Sequence, residues 1–365
     1  MTSALQGGPT RILVFRIGHL GDTIAALPAF RLIRESFPDS HIAFLCNASE
    51  GEERKVPATS VLPEKGLFDE YIGYRTPSGP GMLPGAFRLI RRLRKSRFDT
   101  VFYLMTRNRT PARIARDRRF FSLCGIGRIA CDGFLSRNLL ELPSDAPLRS
   151  VEYEGDFLLR CLRDEDPLVD VPRSAVPSLE LTEAERNAAA RWLETASGHE
   201  IGLRTLVGVG PGSKWDSKIW HEDRFQNVVE GLVRKKEVFP LVFGGPEDRE
   251  KGERLVRAWG IGAVAAGSLN VREAGAALSF CKLYLGNDTG TMHLAAAAGV
   301  TCVAVFAAID YPGRWEPPGA DHRFFRTQVP CEGCHTPDCF NDHQCLTSVG
   351  AEEVLEACME VIDGN

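Results

Sequence analysis

The sequence predicts an α/β protein of two similar domains, each a parallel sheet with crossover helices. Three observations carry that expectation. Short apolar runs of strand length alternate with longer stretches of helical spacing. The alternation halts at residues 167–182, "PLVDVPRSAVPSLELT", where three prolines and little periodicity mark an interdomain linker, and then restarts. Each half also opens on an apolar strand, a glycine-bearing loop and a helix. At 365 residues, 44% hydrophobic and 25% charged, the chain is long enough for two such domains.

In the first half, "ILVF" (12–15) reads as a strand, "RIGHLGD" as its loop and residues 22–36 as a helix ended by Pro38. "HIAFLC", "DEYIGY" and "FDTVFYLM" follow as strands, with a basic helix around 83–96 between the last two. The second half opens with a helix from about 182 to 197, started by a Thr182–Glu185 capping box. "TLVGVGPGS" and "VFPLVFGG" are strand and loop, "EDRFQNVVEGLVRK" and "PEDREKGERLVRAWG" helices. "VREAGAALSFC", "LYLG", "TGTMHLAAAAG" and "TCVAVFA" complete the plan as helix, strand, helix and strand.

A formal charge of −4 argues against a nucleic-acid partner, which usually wants a basic face. Two local basic stretches, "RLIRRLRKSR" (88–97) and "RNRTPARIARDRR" (107–119), read as solvated helix faces or as attraction to an anionic substrate or membrane surface. No apolar run reaches membrane-spanning length, and "MTSALQGGPTR" lacks a signal-peptide pattern. Cytoplasmic residence is expected, with membrane contact at most peripheral.

Ligands in open parallel sheets bind beyond the carboxyl ends of the strands, which brings the loops 17–22, 210–220 and 286–293 to an expected interdomain cleft. In the first, Asp22 at a helix start reads either as a helix cap or as a general base. In the second, Gly210 and Gly212 permit close backbone approach to a phosphate, while Lys214 and Lys218 supply charge. Trp215 and Trp220 read as packing residues. Neither GxGxxG nor a Walker A sequence occurs. In the third, "NDTGTMH", Asp288 or Thr289 could cap the following helix; equally, the helix start with Thr289 and His293 could hold a phosphate.

The pieces "RIGHLGDTIAALPAFRLIRESFPD", "PGSKWDSKIWHEDRF", "VFGGPED", "LGNDTGTMHLAAAAGV" and the cysteine-bearing tail resemble glycosyltransferase family 9, the ADP-heptose:lipopolysaccharide heptosyltransferase family. The resemblance spans nearly the whole chain, with the motifs in family order. It implies a GT-B fold: two Rossmann-like β/α/β domains facing each other across a cleft. Residues 1–175 would bind the acceptor, 176–349 the nucleotide sugar, and 350–365 would form a helix crossing back to the first domain.

The resemblance further implies an inverting, metal-independent transferase moving heptose from ADP-L-glycero-D-manno-heptose to a lipopolysaccharide core or related glycan. Asp22 matches the family's base and Lys218 its diphosphate-neutralising lysine. Asp288, Thr289, Gly290 and His293 match its "D-[TS]-G-x-x-H" element, where donors meet phosphate. From the loop's own residues, Lys214 and Gly212 complete the expected donor site, although Lys214 does not match the family position. No cofactor is implied; the partners are a nucleotide-sugar donor and a glycan or glycolipid acceptor, with peripheral contact at the cytoplasmic face of the inner membrane left open. "DTGTMH" in place of "DTGLSH", and "GHLGD" in place of a serine-rich first loop, leave another sugar or acceptor open. An epimerase and a noncatalytic sugar-nucleotide-binding protein are the rival readings.

The tail "CEGCHTPDCFNDHQC" puts Cys331, Cys334, Cys339 and Cys345 close in sequence. Four thiols could hold a structural zinc, but their spacing is irregular. The reading adopted is of reduced cysteines pinning a compact loop before the last helix, without metal.

Overall fold

A computed structural model of the chain describes residues 10–47, 57–74, 82–141, 147–165, 171–198, 201–202, 204–319 and 321–364. The first nine residues, read above for targeting, and residues 167–170 of the linker lie outside the described residues. The chain divides into two compact units, one of residues 1–141 and 154–175, the other of residues 142–153 and 176–365.

The first unit contains β1 (Arg11–Phe15), α1 (Leu20–Ser36), β2 (His41–Asn47), β3 (Glu70–Tyr74), α2 (Met82–Ser96), β4 (Thr100–Tyr103), α3 (Pro111–Leu123), β5 (Arg128–Ala130), α4 (Asp132–Arg137) and α5 (Glu154–Glu165). Its sheet is wholly parallel, in the order β3-β2-β1-β4-β5. Ile12, Leu13 and Val14 are all fully buried, as a central parallel strand covered on both faces requires. α1 packs against α5, and Phe30, Phe44 and Phe68 form an aromatic cluster beneath it.

The second unit contains α6 (Glu183–Ser197), β6 (Thr205–Gly210), α7 (Glu222–Lys236), β7 (Val238–Val242), α8 (Arg249–Trp259), β8 (Ala263–Val264), α9 (Val271–Leu278), β9 (Leu283–Asn287), α10 (Gly290–Ala297), β10 (Thr301–Phe306), β11 (Arg323–Arg326), α11 (Gln344–Thr347) and α12 (Ala351–Asp363). Its parallel sheet runs β11-β10-β9-β6-β7-β8. Both sheets thus have the Rossmann strand order, turning back beside their first strand.

The expected strands and helices are present within a few residues of their sequence bounds. Short edge strands β5, β8 and β11 were not read from the sequence; β11, "RFFR", is half-buried along its length and shows no alternation. Residues 147–153 join the second unit through Val151 N–H to Pro312 O (2.9 Å) and Leu148 N–H to Glu332 Oε2 (2.8 Å). The C-terminal helix, expected to return to the first domain, packs into the second unit's own core: α12 lies on α7 and buries Val354, Ala357, Cys358 and Val361.

The Thr182–Glu185 capping box forms, with Thr182 N–H donating to Glu185 Oε2 at 2.7 Å and Glu185 N–H to Thr182 Oγ1 at 3.2 Å. The same carboxylate accepts from Arg272 Nη2 of α9 at 3.0 Å, tying two helices together. The Arg272 hydrogen bonds, aided by those from Thr182, overcome burial and lower the Glu185 pKa to about 2. Because the folded pKa is depressed, this stabilisation is complete above the unfolded value near 4.5 and disappears as pH falls toward 2. Glu185→Gln should therefore lower stability by about 2 kcal/mol at pH 7. Urea titrations should show the gap narrowing below about pH 5; a pH-independent gap would contradict this assignment.

Candidate functional site

In the second sheet the strand order reverses between β6 and β9, so the loops leaving these strands flank the position where ligands of open α/β sheets bind. Asn287, the last residue of β9, ties them together. Its Oδ1 accepts from Trp220 N–H at 3.0 Å and its Nδ2 donates to Gly212 O at 3.4 Å. Between these anchors a single 3-10 turn, Asp216–Lys218, brings Lys218 Nζ to 2.6 Å from Asp288 Oδ2 and 3.3 Å from Asp288 O. Asp288 is only 4% exposed, so its charge depends on this cation. The Nε2 of His293, one turn into α10, is 3.9 Å from Asp288 Oδ1.

Thr289 occupies the N-cap position of α10 in an extended conformation, but no side chain caps the helix among the described residues. Its Oγ1 instead lies 2.8 Å from Thr291 Oγ1. The carboxylate of Asp288 faces Lys218 through Oδ2 and His293 of α10 through Oδ1. The Thr289 hydroxyl also donates to Asn287 O at 3.4 Å. Gly290 opens the helix in ordinary helical conformation, so backbone geometry does not demand glycine there.

The remaining expected residues divide. Gly212 is buried beside the anchor, but a Cβ there would fall on the Asp248 carboxylate, so its small size is required by a neighbouring side chain. Burial pushes the Asp248 carboxyl upward in pKa, opposed by Gly245 N–H, which donates to it at 3.0 Å. Lys214 is exposed; Trp220 is fully buried and donates its Nε1–H to Val349 O, as a packing residue should.

The cysteine tail has a structural task that the sequence did not reveal. Its backbone is tied to the segment just after β10 by Gly333 N–H to Ala308 O (2.7 Å) and His335 N–H to Ile309 O (3.2 Å). It then braces the Lys218 turn: Ser217 N–H donates to Pro337 O at 3.0 Å and Ser217 Oγ to Thr336 O at 2.6 Å. His343 Nε2 sits 2.9 Å from Asp216 Oδ2. The sulfurs are acceptors within the loop, Cys339 Sγ receiving His343 N–H (3.2 Å) and Asn341 N–H (3.5 Å), and Cys331 Sγ receiving Asn341 Nδ2 (3.4 Å). No group of three or more His, Cys, Asp or Glu among the described residues is arranged to hold a metal ion.

In the first unit the strand order reverses between β1 and β4. Buried Arg16, immediately after β1, ties the first turn of α1 to the segment after β4 by donating to Asp22 O (2.9 Å) and Leu104 O (2.8 Å). Asp22 stands half-buried in the first turn of α1, where Oδ2 accepts from His19 N–H at 2.8 Å. Tyr103, the last residue of β4, donates its hydroxyl to Asp117 (2.8 Å), which also pairs with Arg109, while Arg107 pairs with fully buried Glu154 at 3.1 Å. The stretch 107–119 is therefore not only a solvated helix face. Arg107 and Arg109 precede α3; on α3, Arg113, Arg116, Arg118 and Arg119 are exposed, Arg116 pairing with Asp117 at 2.8 Å and Arg118 with Asp132.

Removing the partner of a buried charge costs more than the pair itself contributes. Lys218→Ala should lower unfolding free energy by about 2–3 kcal/mol, with part recovered on adding Asp288→Asn, which removes the stranded charge. Additive losses in urea titrations of the single and double variants would show that the pair is not coupled.

With the geometry established, comparison with known proteins gives a consistent result. The family model for "Glycosyltransferase family 9 (heptosyltransferase)" matches residues 158–344. Lipooligosaccharide heptosyltransferase 2 of Campylobacter jejuni is 23% identical over 168 residues, 44% of this chain and 51% of that protein. Lipopolysaccharide heptosyltransferase 2 of Escherichia coli is 26% identical over 145 residues, 38% of this chain and 40% of that one. The chain thus spans about half the length, or less, of these curated relatives. Among solved structures, a glycosyl transferase family 9 protein from Veillonella parvula superposes with TM-score 0.74 at 21% identity, covering 98% of both chains. E. coli ADP-heptose lps heptosyltransferase II superposes with TM-score 0.68 at 18% identity, covering 97% of this chain and 99% of that one. The fold is GT-B-like, as expected from the sequence. By its family match and the order of its motifs, the chain belongs to glycosyltransferase family 9.

Proposed function

We propose that the protein is an inverting glycosyltransferase that moves heptose from ADP-L-glycero-D-manno-heptose to a lipopolysaccharide core or related glycan. The observation that carries this reading is the convergence of Lys218, Asp288 and His293 at the uncapped start of α10. Family membership and the heptosyltransferase names of its relatives support the donor class. In this reading the second unit binds the nucleotide sugar and the first unit the acceptor.

Asp22 takes the proton of the acceptor hydroxyl as the oxygen attacks the anomeric carbon from the face opposite the diphosphate. The carbon–oxygen bond to ADP breaks, and the configuration inverts. Negative charge growing on the departing diphosphate is met by Lys218, by the backbone N–H groups opening α10, and by Thr289 and His293. These groups stabilise the leaving group without requiring a metal in that step. An acceptor carrying anionic groups, at the cytoplasmic face of a membrane, would suit the exposed Arg88, Arg91, Arg94 and Lys95 of α2, beside exposed Phe87. Among the described residues no helix is long and apolar enough to cross a membrane.

Asp22→Asn keeps an oxygen for His19 N–H but removes the basic carboxylate. Turnover should fall at least about 100-fold while ADP affinity changes only a few-fold. Near-parental turnover at saturating substrates would exclude Asp22 as the base. Mass spectrometry of the same assay separates the rivals: donor isomerised without acceptor would indicate an epimerase, and binding without turnover a noncatalytic protein.

For the two lysines the expected order is unequal. Lys218→Ala should weaken ADP binding in calorimetry at least about tenfold, in line with loss of a charge-assisted contact. Lys214→Ala should weaken it less. The reverse order would move the phosphate site away from Asp288.

A further inference from the structure

His293 is 3% exposed, and its Nε2 lies 3.9 Å from Asp288 Oδ1, beyond hydrogen-bond distance. The ring also meets an aromatic one. The indole of Trp315 stands at 78° to it with centroids 6.1 Å apart, an edge-to-face arrangement. Trp315 lies outside the D-T-G-x-x-H element, in the loop that leaves β10, and that loop is fastened from several directions. The indole Nε1–H donates to Asp310 Oδ2 at 2.8 Å. The buried guanidinium of Arg314 donates to the same oxygen at 3.0 Å and lies 4.9 Å from the indole centroid. Asp310 O accepts from Arg326 Nη2 of β11 at 3.0 Å, and Arg326 pairs with Glu332. Pro312 O accepts from Val151 N–H at 2.9 Å. The next residue, Gly313, has a φ of +84°, and a Cβ there would come 2.3 Å from Val151 O, so the loop is fixed at that point in conformation and in size.

We propose that Trp315 is a positioning residue for the donor diphosphate, acting by setting the orientation of the His293 ring. A neutral imidazole has a single N–H donor, so the rotation of the ring decides whether that donor reaches a phosphate oxygen. Side chains in a close-packed interior turn only where their neighbours leave room. The indole takes up that room on one side of His293. Its own rotation is stopped by the bond to Asp310 and by the Arg314 guanidinium. Asp310 thus acts at two removes from the ligand: it fixes Trp315, Trp315 fixes His293, and His293 meets the phosphate. The proposal rests on the reading of residues 288–293 as the diphosphate site.

The test uses the full-length protein and ADP as probe, with calorimetry and thermal melting of Trp315→Leu, Trp315→Phe, His293→Ala, the double variant Trp315→Leu/His293→Ala and Lys218→Ala. Trp315→Leu removes the aromatic neighbour and should weaken ADP binding about three- to tenfold. Trp315→Phe keeps an aromatic ring for the imidazole but has no N–H for Asp310, and its affinity should fall between those of Trp315→Leu and the parent. In the His293→Ala background, Trp315→Leu should weaken binding by less than about twofold more, because the group it positions is gone. An indole that only fills the loop gives a different pattern: a lower melting temperature, with parent-like ADP affinity in folded Trp315→Leu. That result overturns the proposal, as do equal losses in Trp315→Leu and Trp315→Phe, and full additivity in the double variant. If His293→Ala binds ADP as the parent does while Lys218→Ala does not, the proposal falls and the diphosphate site stands. Should Lys218→Ala also bind normally, the reading of the site fails and takes the proposal with it. Should Trp315→Leu fail to fold, Trp315→Met takes its place, with the same expected and contrary results.

Discussion

A carboxylate that is nearly removed from water must have a cation, and at the centre of the second unit Asp288 has Lys218 at 2.6 Å. The two residues are 70 positions apart, so the pair fixes the loop after β6 against the turn after β9. Asn287 adds the neutral half of the same joint, holding Trp220 N–H on one side and Gly212 O on the other. The outcome is an ammonium kept beside the start of a helix whose first donors no side chain occupies among the described residues. Both features favour negative charge, and neither has to move to meet it.

The first unit solves the corresponding place in its sheet with arginines. Arg16 ties the start of α1 to the residue after β4 through backbone carbonyls, and Arg107 and Arg109 are neutralised by Glu154 and Asp117. Arg107 and Arg109 thus serve structure as partners of buried carboxylates. Asp22 differs: its side chain is held through one oxygen by a backbone N–H at the start of α1, which orients it without matching it to a cation in that bond. The electrostatic character of the two units therefore differs even though their strand orders follow one scheme.

The central strands were legible because parallel strands buried on both faces must be almost wholly apolar, as "ILVF" and "TCVAVF" are. The capping box of α6 was legible because its two bonds are local, and so was the D-T-G-x-x-H element, because one turn and one helix carry it. What escaped depends on contacts across the fold. Gly210 and Gly212 looked like phosphate-approach glycines, yet one makes room for Tyr284 and the other for Asp248. Residues 147–153 are followed by a helix of the first unit but bond to Pro312 and Glu332 of the second, a destination no periodicity encodes. The cysteine spacing drew attention to sulfur, whereas the tail's reach is through the carbonyls of Thr336 and Pro337.

That reach has a consequence for how the protein comes into being. Ser217 and Thr336 are 119 residues apart, and the bond between them secures the turn that presents Lys218. During synthesis the lysine emerges long before its carboxylate, and the backing of its turn emerges later still. Non-local closure of this kind comes late because loop entropy must be overcome before the contact forms. A nascent chain that has reached residue 330 already holds the complete run from "PGSKWDSKIW" to "NDTGTMH", but not the segment that keeps the lysine turn in place. The turn that carries Lys218 is thus secured from the carboxyl-terminal side, by the carbonyls of Thr336 and Pro337 and the ring of His343.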